Sequence, residues 1–341
     1  MTSGLMRMLR SRAVKPFIEH VVVPAGDLLL APLVLLAALL MKLVRRVGVY
    51  RMTVSRAILR AVGVFPIRDH YYEPMFDPRQ LARPVSAPSS GARALPGLDL
   101  NEAGQLALIE RFHWQEELRA LPRKPAGALS YHYDNPNFGP GDAEVLYSLI
   151  RLRRPATLLE VGSGMSTLMA LEAVRANRRE DAAYSCRQIC IEPYEMPWLE
   201  QVPGIEVLRQ KVEAVDEGLF RSLRAGDILF IDSSHVIRAQ GDVVREFLEI
   251  LPLLARGVLV QVHDIFTPYD YPEQWLWNEV RLYNEQYLVE AFLTQNREFR
   301  ILAAVHWLCR NHRARLVEKC PVLGEGLEPG GGPASLWLER A

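Results

Sequence analysis

Hydrophobic residues fall into two different patterns along this chain of 341 residues. Residues 21–44 form a nearly continuous apolar stretch, and the part from 28 to 41 contains no polar side chain. From Ala143 onward, short apolar runs alternate with segments in which apolar residues recur at helical spacing. The first pattern predicts an apolar helix, and the second predicts a domain of alternating strands and helices.

Five runs in the second region have the near-continuous hydrophobicity of strands that are buried on both faces of a parallel sheet. These runs are 157–161, 188–191, 205–208, 227–231 and 257–262. Crossover helices are predicted at 166–176, 242–254 and 272–292, and two later strands at 301–307 and 335–338. The alternation indicates the α/β fold class, with a doubly wound sheet.

These patterns divide the chain into three regions. Residues 1–82 form an apolar, basic and helical extension, 83–125 a linker followed by a helix, and 126–341 the α/β domain. The linker is inferred from the Pro, Ser, Gly and Ala residues between 83 and 97, because such residues favour turns and irregular backbone.

Basic residues flank the apolar stretch of the extension on both sides. As a helix, residues 28–41 span only about 21 Å, which is less than the ~30 Å hydrocarbon core of a bilayer. A helix that starts at Val21 would be long enough, but it contains Pro24, Asp27 and Pro32, which are unfavourable in an apolar spanning helix. An interfacial or re-entrant anchor is favoured, and a spanning helix and a buried helix of a helical subdomain remain open. We therefore expect residues 21–44 to contact a membrane surface.

Charge and cysteine content narrow the classes of function. Forty Lys and Arg residues balance forty Asp and Glu residues, which argues against nucleic acid as a partner. The four cysteines follow no zinc or disulfide spacing, so buried free thiols in a reducing compartment are expected. We expect the α/β domain to be cytoplasmic and associated with a membrane through the extension.

The first predicted strand runs through two glycines into a helix. Gly162 and Gly164 allow the backbone to approach a ligand closely, and the start of the helix offers free N–H donors. In open α/β sheets, ligands bind beyond the carboxyl ends of the strands. Glu192, directly after the second strand, is placed to accept hydrogen bonds from the hydroxyls of a ribose. A dinucleotide fingerprint requires a third glycine where Thr167 stands, which disfavours a nicotinamide dehydrogenase.

Polar residues also follow the fourth and fifth predicted strands. Asp232 and His235 follow the fourth strand, and His263 and Asp264 follow the fifth. Two adjacent parallel strands would bring all four side chains to one rim of the sheet. Imidazoles that titrate near neutral pH suit proton abstraction from a hydroxyl, and carboxylates can orient them or bind a divalent cation.

These residues resemble the class I S-adenosylmethionine-dependent methyltransferases, and in particular the branch of macrocin-type and other sugar or natural-product O-methyltransferases. The resemblance covers roughly residues 131–292 and is carried by the run from Glu160 to Thr167, by Glu192, and by the run from Phe230 to His235. It implies a Rossmann-like seven-stranded sheet whose last strand is inserted antiparallel. The apolar N-terminal extension lies outside it.

The resemblance also implies a cofactor, S-adenosylmethionine, and residues that bind it. The methionine and ribose part would be lined by Glu160, Gly162, Ser163 and Gly164. Glu192 would bind the ribose hydroxyls, and Asp232 would lie beside the sulfonium.

Several members of this branch also use a divalent cation such as Mg²⁺, held by an aspartate after strand four and an acidic pair after strand five. Asp232 matches the first position, but the pair reads His263-Asp264 here. In one alternative, Asp232 and Asp264 are metal ligands, with His263 as a candidate third ligand. In the other, which we favour because an imidazole replaces a carboxylate, His235 or His263 is the general base and Asp264 assists it.

The predicted function is methyl transfer to a hydroxyl oxygen of a small or lipid-linked acceptor, with sugars among the candidates. The alternative is a non-catalytic module that binds the cofactor, or a scaffold, within a membrane-associated complex. Replacement of His235 or His263 separates the two, because only an enzyme would lose turnover.

Overall fold

A computed structural model describes residues 15–67, 91–127, 129–326 and 332–341 of the chain. The chain divides into two compact units, Met1–Gln80 and Leu81–Ala341. The second contains the predicted α/β domain and also the described part of the segment that was predicted to be a linker and a helix.

The first unit is helical over most of its described length. A short α-helical turn, Lys15–Phe17, and a π-helical turn, Ile18–Val22, lead into helix α1, Val23–Val47; a 3₁₀ turn, Val49–Arg51, and helix α2, Thr53–Val62, follow. Pro24, near the start of α1, and Pro32, inside it, are both accommodated in the continuous helix Ile18–Val47. The prolines therefore do not interrupt the apolar helix.

The side chains of this helix are exposed on all sides. Leu28 and Leu29 are 76% and 80% exposed, and no residue of α1 is buried against other described residues. The helix Ile18–Val47 has 30 residues and contains an 18-residue window with a mean hydropathy of 2.3, so its length and composition suffice to cross a membrane. Within the described residues, the alternative of a buried helix in a helical subdomain receives no support.

The second unit is built around one seven-stranded sheet with the order β3-β2-β1-β4-β5-β7-β6. The strands are β1 Thr157–Val161, β2 Arg187–Ile191, β3 Ile205–Leu208, β4 Ile228–Ile231, β5 Leu259–Val262, β6 Phe299–Ala304 and β7 Leu336–Arg340. The first five are parallel, and β7 lies antiparallel between β5 and β6. The predicted sheet, including its inserted antiparallel strand, is confirmed.

Helices cover this sheet and contribute to its hydrophobic core. They are α3 Glu102–Ile109, α4 Gln115–Ala120, α5 Asp142–Arg153, α6 Met165–Glu180, α7 Glu217–Arg221, α8 Asp242–Arg245, α9 Glu285–Leu293, α10 Val305–Asn311, α11 Arg313–Lys319 and α12 Pro321–Gly324. A π turn and a 3₁₀ turn extend α8 as far as Leu253. The four cysteines are free and buried, as expected.

Two predicted helices differ from the structure. The helix expected after the linker within residues 83–125 is divided into α3 and α4. The helix expected over 272–292 is a π turn, Gln274–Asn278, followed by irregular backbone and then by α9. The apolar residues of the irregular part pack as an aromatic cluster, in which the rings of Trp275 and Tyr283 lie 5.8 Å apart. Ring packing thus replaces the helical stripe that their spacing suggested.

Candidate active site

The loop between β1 and α6 borders a cavity of about 920 Å³, which we call the strand-end cavity because residues after β1, β2, β4 and β5 line it. Gly162 has a φ of 76°, and a Cβ atom at this position would lie 1.9 Å from the carbonyl oxygen of Asp232. The Gly162 N–H donates to the carbonyl oxygen of Ile191 at 3.0 Å. Position 162 requires glycine because both its backbone conformation and the adjacent strand exclude a side chain.

Replacement of the two loop glycines is expected to have unequal effects on stability. Gly162→Ala should lower the free energy of unfolding by more than the ~1–2 kcal/mol cost of a positive φ, because the new methyl group also meets backbone. At Gly164 a Cβ atom would only contact Met196, at 3.7 Å. Thermal unfolding of Gly164→Ala should therefore stay close to that of the wild type. Equal losses in the two variants would contradict this account of the loop.

One side chain beside the glycines holds the loop by a hydrogen bond, and another has a polar atom without a hydrogen-bond partner among the described residues. The Oγ1 of Thr167 accepts the N–H of Gly164 at 3.1 Å, so the threonine that replaces a third glycine caps α6. Ser163 lines the cavity, and its buried Oγ has no hydrogen-bond partner among the described residues. A ligand in the cavity could supply that partner.

Glu160 lies outside the lining of the strand-end cavity, so the direct cofactor contact predicted for it is not supported. The side chain is fully buried, and its Oε2 accepts hydrogen bonds from Gln188 Nε2 at 3.1 Å and from Cys190 Sγ at 3.5 Å. Burial raises the pKa of Glu160 to about 7, although the hydrogen bonds oppose this shift. Side chains alternate along a strand, so residue 160 projects from the face of the sheet and supports the loop from there.

Glu192 lines the cavity at the end of β2, as expected. Its Oε1 accepts the backbone N–H groups of Tyr194 and Glu195 at 3.0 and 2.9 Å. Its Oε2 has only one long contact, 3.4 Å, with the N–H of Ser163. One carboxylate oxygen is therefore held by the chain, and the other retains lone pairs for a ligand.

The four rim residues predicted from the sequence meet at the cavity. His235 Nε2 lies 3.2 Å from Asp232 Oδ1 and 3.6 Å from Asp264 Oδ2. His263 Nδ1 lies 3.5 Å from Asp232 Oδ1 and 3.3 Å from Asp264 Oδ1. Each imidazole therefore contacts both aspartates, and we call these four residues the rim cluster.

Two further carboxylates complete the surroundings of the histidines, and the sequence analysis missed both. Glu285 Oε2 lies 2.8 Å from His235 Nδ1, and Asp142 Oδ2 lies 3.7 Å from His263 Nε2. Both acids stand in the first turn of a helix, α9 and α5. An acidic residue at the start of a predicted helix was the only sequence feature that pointed to them. Acidic residues are common at helix starts, so this feature does not identify a site.

The environment of the two histidines favours their charged form. Burial lowers the pKa of His235, but hydrogen bonds to Asp232 and Glu285 outweigh it and hold the pKa well above its ordinary value. Burial also lowers the pKa of His263, but the negative charges of Asp232 and Asp264 outweigh this effect. The pKa of His263 is therefore held well above its ordinary value. Both imidazoles have carboxylates at both ring nitrogens. The neutral histidine base favoured from the sequence is therefore not supported by this geometry.

The two aspartates of the rim cluster differ in their acidity. Burial opposes ionisation of Asp232, but the charges of His263 and His235 outweigh it and lower its pKa. Burial raises the pKa of Asp264 by more than His263 and His235 lower it. Asp264 lines the cavity with 15% of its side chain exposed, and it is a stronger base than an ordinary aspartate.

The predicted metal ligands do not form a metal site in the described part of the chain. No group of three or more His, Cys, Asp and Glu side chains there is arranged to hold a metal ion. Asp232 and Asp264 instead contact the two imidazoles. The residues present therefore do not fit a divalent cation.

Comparison with known proteins identifies the domain. Residues 159–265 match a family model described as a methyltransferase domain. A protein from Archaeoglobus fulgidus, described as uncharacterized, is 27% identical over 179 residues, which cover 50% of this chain and 78% of that protein.

Solved structures with a similar arrangement include two O-methyltransferases. TomG from Streptomyces achromogenes, which takes part in tomaymycin synthesis and was solved with S-adenosylmethionine, is 15% identical, with a TM-score of 0.38 over 68% of this chain and 98% of that one. An enzyme from Bacillus cereus, solved with S-adenosylhomocysteine, is 11% identical, with a TM-score of 0.34 over 69% and 91%. The family match and the strand order, rather than these distant similarities, define the domain. The chain therefore contains a methyltransferase domain, which the family model matches over residues 159–265.

Proposed function

We propose that this enzyme methylates a hydroxyl oxygen of a small or lipid-linked acceptor, with sugar hydroxyls among the candidates. The observation that carries the proposal is that one cavity contains both the glycine loop with Glu192 and the rim cluster. Its volume of about 920 Å³ lies near the upper end of the roughly 300–1,000 Å³ range of ligand pockets. A cofactor and an acceptor therefore have room to lie side by side.

The residues of the cavity fit S-adenosylmethionine, which when bound supplies an electrophilic methyl group on a positively charged sulfur. Gly162 leaves space for a ligand, and Ser163 Oγ and Glu192 Oε2 have unused hydrogen-bonding capacity. We assign Glu192 to the ribose hydroxyls, and Gly162, Ser163 and Gly164 to the methionine and ribose part. Asp232, whose side chain is 33% exposed, provides the negative charge beside the sulfonium.

In the proposed mechanism, Asp264 accepts the proton of the acceptor hydroxyl. Its raised pKa makes it a better base, and its place on the cavity lining lets an acceptor reach it. His235 and His263 are positioning residues, because each contacts both aspartates and fixes the distance between them. Alignment of the reacting groups supplies much of the acceleration in such a site.

The outer wall of the cavity supports a sugar or aromatic acceptor. Trp275 and Tyr283 line it, and the guanidinium of Arg281 lies 4.2 Å from the centre of the Trp275 ring system. Tyr283 also packs against the ring of His235 at 4.7 Å. Aromatic faces with polar tips bind both apolar faces and hydroxyls of a ring-shaped acceptor.

A direct test measures S-adenosylhomocysteine produced by the full-length protein from S-adenosylmethionine with fractionated small-molecule and lipid extracts as acceptors. We expect product only in fractions that contain hydroxyl-bearing acceptors, and we expect the methyl group to be recovered as an ether. Recovery of the label on nitrogen or carbon would contradict the proposal. Turnover confined to macromolecular fractions would contradict the small or lipid-linked acceptor.

We further propose that helix Ile18–Val47 anchors the enzyme in a membrane. Its 30 residues extend about 45 Å, which exceeds the ~30 Å hydrocarbon core, and apolar side chains surround it on all sides. Helices that lie on a membrane surface have a polar face, which residues 28–41 lack. These features favour a spanning helix over the interfacial anchor preferred from the sequence. We propose that the catalytic unit lies in the cytoplasm, where its free thiols persist.

A charge in the middle of this helix is expected to release the enzyme from membranes. Leu36→Arg adds about 3 kcal/mol to the cost of insertion, so the membrane-bound fraction of the full-length protein should fall sharply in cell fractionation. Leu248→Arg changes a leucine that is 60% exposed on the catalytic unit and serves as the control. An unchanged distribution of Leu36→Arg would exclude the anchor.

A further inference from the structure

The first unit contains a second, smaller cavity, of about 330 Å³, beyond the end of the apolar helix. Its polar lining consists of Arg45, Arg56 and Arg60, and Tyr50 and Phe65 provide its aromatic wall. We call it the arginine pocket. None of the described residues that line it is acidic.

The backbone around the arginine pocket is built to turn sharply at this point. Helix α1 stops at Gly48, whose φ is 100°, and a Cβ atom there would meet the ring of Tyr50 at 2.8 Å. Helix α2 ends at Gly63, whose N–H donates to the carbonyl oxygens of Leu59 and Arg60. The two turns place the last turn of α1, the polar side of α2 and Phe65 around one space.

Helix α2 carries basic side chains on one side and exposed apolar side chains on another. Arg56 and Arg60 are one turn apart and both reach the pocket. Val54, Ile58 and Val62, at 72%, 57% and 69% exposure, form a stripe on another side of the helix. An apolar stripe opposite basic residues is typical of a helix that lies in the membrane interface.

Among the described residues that line the pocket, all the charged side chains are basic. From residue 28 to residue 67 the sequence contains six basic residues and no acidic residue. The guanidinium of Arg45 also lies 5.8 Å from the ring centre of Phe65, which fixes one wall of the pocket. Several guanidinium groups around a small space match the oxygen atoms of a phosphate, which arginine binds through paired hydrogen bonds.

We propose that the arginine pocket binds the phosphate-bearing headgroup of one anionic phospholipid, whose acyl chains lie along the apolar helix α1. The exposed leucines of α1 continue directly from the pocket and provide the apolar surface that the acyl chains need. This inference rests on the proposed membrane anchor, and it adds a lipid-specific site to it. Free phosphate offers the same oxygen atoms to the arginines, but it has no acyl chains to bind the adjacent apolar surface. We therefore expect it to bind more weakly than the phospholipid.

The test uses full-length protein in a neutral detergent micelle that contains a low fraction of phosphatidylglycerol or of phosphatidylcholine. Lipid bound per chain is measured by native mass spectrometry. The micelle has almost no surface charge, so general attraction to an anionic membrane does not contribute. We expect one phosphatidylglycerol per chain and at least about tenfold less phosphatidylcholine, since hydrogen bonds to charged groups are the strong ones.

The variant R56Q/R60Q should lower phosphatidylglycerol occupancy at least about tenfold, because both arginines reach the pocket. The variant K42Q/R46Q removes the same charge from exposed positions that do not line the pocket, and it should retain occupancy within about twofold. Both should keep the thermal stability and the S-adenosylmethionine affinity of the wild type.

Three results would overturn the proposal: equal losses in the two double variants, no preference for phosphatidylglycerol, or displacement of the lipid by free glycerol phosphate at an equal concentration. Reconstitution into neutral phosphatidylcholine vesicles distinguishes this failure from failure of the membrane anchor. If R56Q/R60Q and wild type both insert there, the anchor stands whatever the outcome for the pocket. If the wild type does not insert, the anchor itself is wrong.

Discussion

Asp264→Asn is expected to lower kcat by about 10²–10⁴-fold, which is the usual contribution of a positioned general base. The asparagine retains the shape of the side chain but cannot accept a proton from the acceptor. Affinity for S-adenosylmethionine should change only a few-fold, because Glu192 and the glycine loop are intact. Steady-state kinetics and calorimetric titration of the same preparations separate the two effects.

Asp270→Asn is a matched control for this variant. Asp270 lies six residues further along the chain, pairs with Arg93 at 3.1 Å, and does not line the strand-end cavity. Its loss should leave kcat within a few-fold of the wild type. If both variants lose kcat equally, the effect of Asp264→Asn reflects altered structure rather than a missing base.

The pH profile provides a second measurement of the same assignment. A base must be ionised, so kcat/KM should fall as the pH drops through the pKa of Asp264, which burial raises above its ordinary value. The groups around Asp264 are His235, His263, Asp232 and Asp142, and the two histidines lower its pKa. His235→Asn removes one of those charges, so the acidic limb should move to higher pH. A purely structural role of His235 would reduce kcat without moving the limb.

Glu192→Gln is expected to weaken S-adenosylmethionine binding by about 10–100-fold, because hydrogen bonds to a charged group contribute about 1.5–3 kcal/mol. The glutamine carbonyl can still accept the N–H groups of Tyr194 and Glu195, so the loop should keep its conformation. Calorimetric titration measures the affinity. Glu195→Gln, an exposed carboxylate that also lines the cavity, removes the same charge and should bind normally.

An analogue of the cofactor without ribose hydroxyls makes this test specific. The wild type should bind the analogue more weakly than S-adenosylmethionine, whereas Glu192→Gln should bind the two more nearly alike. Equal discrimination by both proteins would mean that Glu192 acts on the loop and does not contact the ribose.

The strands of the sheet were predictable from the sequence because they are local, nearly continuous apolar runs. The runs 157–161 and 205–208 coincide with β1 and β3, and the others differ from the observed strands by a few residues at their ends. Regions without a repeating apolar pattern were predicted less well. The segment around Trp275 and Tyr283 has helical spacing, but its residues pack into an aromatic cluster through contacts that the spacing does not encode.

The sequence also placed several candidate site residues correctly at the carboxyl ends of strands. Gly162, Glu192 and Asp232 line one cavity because parallel strands end at the same edge of the sheet. Glu160 does not line this cavity, since it belongs to the strand itself and its side chain is fully buried. A sequence motif does not show which of its residues line the cavity and which are buried beside the loop.

By itself, the sequence determined the fold class, the apolar N-terminal segment and the edge of the sheet that most of the candidate site residues share. All three follow from periodicity and from short motifs, which are properties of neighbouring residues. Only the tertiary structure pointed to the rim residue that we propose as the base, because this choice depends on Asp142 and Glu285, which lie far along the chain from the histidines they contact. Ionisation in a buried cluster is set by every charge within a few ångströms, and the chain order does not reveal those distances.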